Sequence, residues 1–399
     1  MDRQVCMVAP SRRLATLALT SSVVVAFLAA ANASSPLYQR YAATWHTSPL
    51  TGTIAFATYA VAVLAGLLWL SQLPDVFGRR PVLFTAICAQ IIALLLFAVA
   101  GSFTLIVVGR VVQGLASGAA FGVLSATMIE ADAERGAIAS AASPGTGSGL
   151  GALLSGLVVQ FLPGPTHTIY LILAAVLAGQ ALIVLRLIPA GTRQASQDAL
   201  RPRVRVAIPA NARAVFLATA PVVFAVWALS GFYAALSPAL YTTLSGSGAV
   251  WPTALPIFVL LWSGTLTTVV VRGASGRALT ITGAVSTLAG LGATIVAIEL
   301  GSAGLYLVAS AVAGIGFGAG FQGPIRSLAP LATDDERPAL LSAVFVVAYG
   351  GLGTAVIPGA LLSAGASLTA VTVELAIALA VLSSIALGAT LRAGVRVHP

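Results

Sequence analysis

Twelve long apolar runs alternate with short polar connections along this chain. They cover roughly 14–36, 50–72, 81–101, 103–128, 137–162 and 167–188, then 212–241, 251–271, 278–299, 303–327, 338–362 and 367–391. A helix that crosses ~30 Å of hydrocarbon needs about 20 residues, which each run supplies. Lipid cannot satisfy free backbone N–H and C=O groups, so runs of this length must be helical, and the alternation of a β-barrel is absent. The expected fold class is an all-α integral membrane protein with twelve transmembrane helices. Composition agrees: 58% of the 399 residues are hydrophobic and 8% are charged. A soluble domain carries about 25% charged residues, so this chain has too few to clothe a water-facing surface.

One connection stands out. Residues 189–211 hold Arg193, Arg201, Arg203 and Arg205 and divide the runs into two sets of six. The expected domains are a six-helix bundle at 1–188, a cytoplasmic basic linker at 189–211 and a second bundle at 212–399. The net charge of +9 comes wholly from arginine, since no lysine is present. These arginines lie between the runs and cluster on one side, so they mark topology and give no nucleic-acid patch. With both termini in the cytoplasm, all but Arg40 and Arg110 fall at or near the cytoplasmic face. Arginine without lysine also fits a GC-rich bacterial source, hence a multi-pass protein of the bacterial inner membrane. Arg3, Arg12 and Arg13 before an apolar run, then Ala31-Asn32-Ala33, imitate a cleaved signal peptide; the run is long and many others follow, so a retained first helix is expected. Cys6 and Cys88 are poorly placed to pair.

The halves resemble each other. Asp132-Ala-Glu134-Arg135 recurs as Asp334-Asp-Glu336-Arg337, an offset of 202 residues, and Ser35-Pro36 recurs as Ser237-Pro238. Gly114 and Gly118 match Gly316 and Gly320, and Gly149 and Gly151 match Gly351 and Gly353, at the same offset. A parallel repeat implies halves related by an axis along the membrane normal, with a solute path between them.

Three motifs carry a family resemblance. The connection after helix 2 reads Ser71-Gln72-Leu73-Pro74-Asp75-Val76-Phe77-Gly78-Arg79-Arg80. It resembles motif A of the major facilitator superfamily, G-x-L-a-D-r-x-G-R-[RK], with Ser71 and Val76 departing from the pattern. Gly109-Arg110-Val-Val-Gln113-Gly114 in helix 4 is similar to motif B. Gly147-Ser-Gly149-Leu-Gly151-Ala152-Leu-Leu-Ser155-Gly156 in helix 5 is similar to the antiporter motif C, with Ala152 in place of the proline. The likeness implies two six-helix bundles that rock about a central site. It also implies a switch network of Asp75, Gly78, Arg79, Arg80 and Glu130, with Asp75 beside the start of helix 11, where Pro338 stands. Gly147, Gly151 and Gly156 become close-packing positions, as small residues at this spacing allow.

By the same resemblance helices 1, 4, 7 and 10 line the solute cavity. The candidate lining residues are Asn32, Arg110, Gln113, Phe224, Trp227, Ser230, Phe317, Phe321 and Gln322. An arginine at membrane depth costs at least ~2.5 kcal/mol if left alone, so Arg110 must meet a partner or a wet cavity. Helix 1 offers Asn32, Ser34 and Ser35 but no acid. Arg110 is therefore either a tie between helices 1, 2 and 4, through carbonyls and Asn32, or a handler of solute or protons. Glu374 in helix 12 is the one acid deep in a span; it either carries protons or snorkels outward. All three histidines lie in loops or at the C-terminus, so no histidine relay spans the membrane.

The expected function is secondary active transport of a small organic solute by alternating access, in the form of proton-coupled efflux of drug-like or metabolite compounds, by a monomer. The alternatives are passive facilitation or import of a metabolite, and a receptor or scaffold on a transporter fold. No cluster of catalytic groups or metal ligands shares one depth, so no enzyme, metal or cofactor is expected.

Overall fold

The computed structural model describes residues 10–189, 206–333 and 335–395, with the side chains of Pro10, Gln39 and residues 393–395 left aside. Cys6, Arg193, Arg201, Arg203, Arg205 and Asp334 lie outside the described residues.

Twelve long helices account for the apolar runs: α1 (Pro10–Asn32), α2 (Pro49–Trp69), α3 (Arg79–Ala98), α4 (Phe103–Ala131), α5 (Ala133–Phe161) and α6 (Pro165–Leu187), then α7 (Arg213–Ser245), α8 (Leu255–Val270), α9 (Gly276–Glu299), α10 (Ala303–Leu328), α11 (Arg337–Gly353, resuming at Val356–Ser363) and α12 (Leu368–Val395). Among the described residues, eleven helices are long and apolar enough to cross a membrane. The exception is α5, which at 29 residues is long enough but is diluted by glycine and serine. Proline stands in the first turn of α2, α6, α8 and α11, where its missing N–H leaves nothing unsatisfied. Asp132 caps α5 by accepting from the Arg135 amide at 2.8 Å. Gly78 adopts φ +86° in the turn that starts α3, a conformation closed to most side chains.

Two runs depart from expectation. The first helix stops at Asn32 instead of 36, and the chain turns through Ser35–Leu37 into a short helix, Tyr38–Trp45. Within that short helix, past the first span, burial pushes the Tyr41 phenol up to about 12, and its hydroxyl stays protonated against Tyr170 at 3.1 Å. The other departure is in α11, which breaks at Thr354–Ala355. Pro358 stands four residues after Thr354 and has no amide to offer its carbonyl.

The packing follows the repeat. In the first half α1 meets α4, α5 and α6, α2 meets α4, and α3 meets α4 and α6. In the second half α7 meets α10, α11 and α12, α8 meets α10, and α9 meets α10 and α12. Each neighbour pair thus recurs six helices on. The two seams between the halves, α2 with α11 and α5 with α8, exchange under the same operation. This is a pair of six-helix bundles related by a pseudo-two-fold axis, each with its own apolar core.

The register differs locally from the 202-residue offset. Gly114 and Gly118 lie against α2, and the glycines that face the equivalent helix, α8, are Gly314 and Gly318. Gly316 and Gly320 lie against α9 and α7 instead, so the matching faces of α4 and α10 are 200 residues apart. Ser237-Pro238 sits inside a continuous α7, whereas Ser35-Pro36 opens the turn after α1.

Candidate functional site

The site is built around a buried cation. Arg110 on α4 is fully buried and all its donors are occupied. Its Nε donates to Tyr38 Oη at 2.9 Å, and Nη1 to the Ala31 carbonyl at 2.8 Å and Gln113 Oε1 at 2.7 Å. Nη2 donates to Ser34 Oγ and, at 2.6 Å, to Tyr38 Oη. The rings of Tyr38, Tyr59 and Phe97 face the guanidinium at 5.4–5.6 Å. Oxygens and π-faces, with no acid, hold the charge. Arg110 is thus a tie between α1, α2 and α4, and its five N–H groups leave none for a solute in this conformation. Asn32 is not part of that tie. Its amide bonds back to the Leu28 carbonyl at 3.2 Å, within its own helix.

Beside this cage the two halves meet in an aromatic cluster. Trp227 on α7 packs against Phe317 and Phe321 on α10 and Tyr349 on α11, at centroid distances of 6.2, 5.3 and 4.9 Å. Tyr349 and Trp227 share one apolar cluster with Phe56 and Tyr59 of α2 and with Phe121 of α4. Two polar atoms beside this cluster are buried without a hydrogen-bond partner: Gln113 Nε2 and Trp227 Nε1. A buried donor left unsatisfied costs about 1–3 kcal/mol. Of the expected lining residues, the structure gathers Arg110 with Gln113, and Trp227 with Phe317 and Phe321. Phe224 sits one turn away, its carbonyl against Gly351. Ser230 and Gln322 are half-buried.

The ends of the seams differ. At the face far from the chain termini, the Leu50 amide donates to Ser363 Oγ at 3.1 Å and the Val250 amide to Gln160 Oε1 at 2.8 Å. At the face that carries the start of α1 and the end of α12, Trp69 on α2 and Arg337 and Pro338 on α11 are exposed. Here the halves touch through Arg272 and Glu134, 3.8 Å apart and both well exposed.

The motif A residues gather at that same face. Arg79 makes a two-pronged pair with Glu130, one arm at 2.7 Å. Asp75 is exposed and lines a cavity of about 570 Å³ with Arg12, Arg13, Arg79 and Glu130. Among the described residues, none of α11 lines that cavity. Gly78 is buried in the turn, and Arg80 is half-buried beside it. On α5, Gly147 and Gly151 press directly on the α1 backbone at Val25 and Ala29, and Gly156 on Trp251. Glu374 is exposed on α12.

The sequence of residues 19–358 matches the model of the Major Facilitator Superfamily. The chain belongs to this superfamily. It is therefore a multi-pass membrane protein that transports a solute, and not an enzyme. No curated protein matches the sequence. Among solved structures, a crystal structure of the nucleoside transporter NupG superposes with a TM-score of 0.69 at 14% identity, over 95% of this chain and 98% of that one. A mutant of NupG superposes with a TM-score of 0.70 at 13% identity, over 96% and 99%. At such identities the likeness concerns the fold alone. Around the cage and the seam, Tyr38, Tyr59 and Tyr349 were not among the expected lining residues. Tyr38 reaches Arg110 because the chain folds back after Asn32, and the Ser34-Ser35-Pro36 turn signal was the available clue. Tyr59 and Tyr349 come from different halves, and no spacing rule joins them.

Proposed function

We propose that this transporter moves a small organic solute by alternating access, with the two halves, 1–188 and 212–399, joined by the linker at 189–211, rocking about a central site. The solute site lies where Trp227, Phe317, Phe321 and Tyr349 of one half meet Tyr59 and Gln113 of the other. The observation that supports this reading is the set of unpartnered buried donors beside stacked aromatic rings, at the seam between two repeats. Aromatic walls with a few fixed polar groups suit an organic solute of modest size. The face with the chain termini is cytoplasmic, as the arginine distribution indicates. Bonds at the opposite face support a shut outer gate in this state.

The mode we assign is proton-coupled efflux, on the likeness of Gly147–Gly156 to motif C. The Asp75–Arg79–Glu130 network at the cytoplasmic mouth serves as its switch. A second reading, passive facilitation, is favoured by one observation: Glu374, the one acid inside a span, is exposed on a peripheral helix. Purified protein in liposomes separates these readings. A panel of aromatic drug-like compounds and metabolites, with nucleosides included because NupG is named for them, is offered with and without a pH gradient. Uphill movement that follows the gradient is expected. Equilibration without accumulation would select facilitation. Binding without flux would leave a receptor, and would overturn the proposal.

A further inference from the structure

We infer that the central site selects neutral or anionic aromatic solutes that carry hydrogen-bond acceptors, and rejects organic cations. This rests on the reading of the aromatic seam as the solute site. The chain has eleven acids, and all but Glu374 lie at helix ends, in loops or in the tails. Glu374 is exposed on α12, so among the described residues no carboxylate faces the seam from α1, α2, α4, α7, α10 or α11. The buried charge nearest the seam is positive: the Arg110 guanidinium lies 5.4 Å from the Tyr59 ring.

The polar groups there are also one-sided. Arg110 takes up the acceptors around it, namely Tyr38 Oη, the Ala31 carbonyl, Ser34 Oγ and Gln113 Oε1. The unpartnered donors left beside it are Trp227 Nε1 and Gln113 Nε2. A solute with acceptors completes these donors as it enters. A cation would shed its hydration, meet no carboxylate and lie near an unneutralised guanidinium, costs that outweigh its attraction to the aromatic faces. A site whose buried polar groups demand a partner discriminates strongly between solutes that supply one and solutes that do not.

Three indoles of nearly equal shape test this: indole-3-acetate is an anion, indole-3-acetamide is neutral and tryptamine is a cation. Their equilibrium binding to the full-length protein in liposomes, as radiolabelled compounds, is the measurement. The acid and the amide should compete for one site, with tryptamine weaker by about tenfold or more. Trp227→Phe keeps the ring and loses the N–H. It should weaken the acid and the amide by about tenfold without changing the elution profile of the protein. Gln113→Glu adds an acid beside Arg110 and should narrow the gap between tryptamine and the other two.

Tryptamine binding as tightly as the acid, with loss on Trp227→Phe, would overturn the charge selectivity and keep the site. Binding of all three that is indifferent to Trp227→Phe and Tyr349→Ala would overturn the site itself. Binding of none would overturn the inference as well.

Discussion

Thr53 on α2 fills the space that a Cβ on Gly359 of α11 would need. Three residues back along α2, the Leu50 amide bonds to Ser363 Oγ, so the two helices close on each other from opposite ends of the chain. Adding even one methyl group at position 359 forces these helices apart. Overpacking costs about 1–3 kcal/mol, and here a change of state can relieve it. Gly359→Ala should therefore move the population away from this conformation by about tenfold. Spin labels at Pro49→Cys and Ala364→Cys, in a background of Cys6→Ser and Cys88→Ser, should report a longer distance. An unchanged distance distribution would show that the distal seam is not a gate.

Gly151 makes a different kind of contact. A Cβ there would meet the Ala29 backbone, which cannot swing aside. Both helices belong to the same half, so rocking of the halves gives no relief. Gly151→Leu should lower the melting temperature in detergent by several degrees, in line with an overpacking cost of about 1–3 kcal/mol. Gly292 has nothing within 4 Å of its Cβ position, and Gly292→Leu should leave the melt unchanged. Equal effects from both substitutions would mean that helix propensity, not close approach, explains them.

What could be read from sequence follows from which forces act locally. Run length and the demand that lipid makes on the backbone sufficed for the helices, and the likeness to motif A pointed to Arg79 and Glu130. The seam did not yield, because Tyr59 and Tyr349 meet only once both bundles are assembled. As a partner for Arg110, Asn32 misled because a short polar side chain near a helix end finds its own backbone first, here the Leu28 carbonyl. The repeat was legible in outline, but chance matches among abundant glycines disguised a two-residue shift between α4 and α10.

Arg110 tests whether its charge or its shape matters. The guanidinium serves five bonds to four different groups in a plane. A lysine has three donors on one atom and cannot span that set. Arg110→Lys should therefore fail nearly as badly as Arg110→Gln, in both thermal stability and transport. Recovery of near-normal transport by lysine alone would show that positive charge suffices and that the cage geometry is incidental.

The last prediction separates the acids. Glu374 is exposed on α12, away from the seam through which the halves communicate. Glu374→Gln should leave the transport rate and its pH dependence as they are. The Arg79–Glu130 pair has side chains 40% and 59% exposed, so its contribution to stability is about 0–1 kcal/mol. That is too little to hold the fold, yet enough to tilt two states of similar energy. Glu130→Gln and Asp75→Asn should thus leave the melting temperature within a degree or two while changing the transport rate several-fold. The exchange Arg79→Glu with Glu130→Arg should restore part of the loss. Transport that is indifferent to Asp75→Asn and Glu130→Gln but abolished by Glu374→Gln would place proton coupling in α12 and remove the switch from the cytoplasmic mouth.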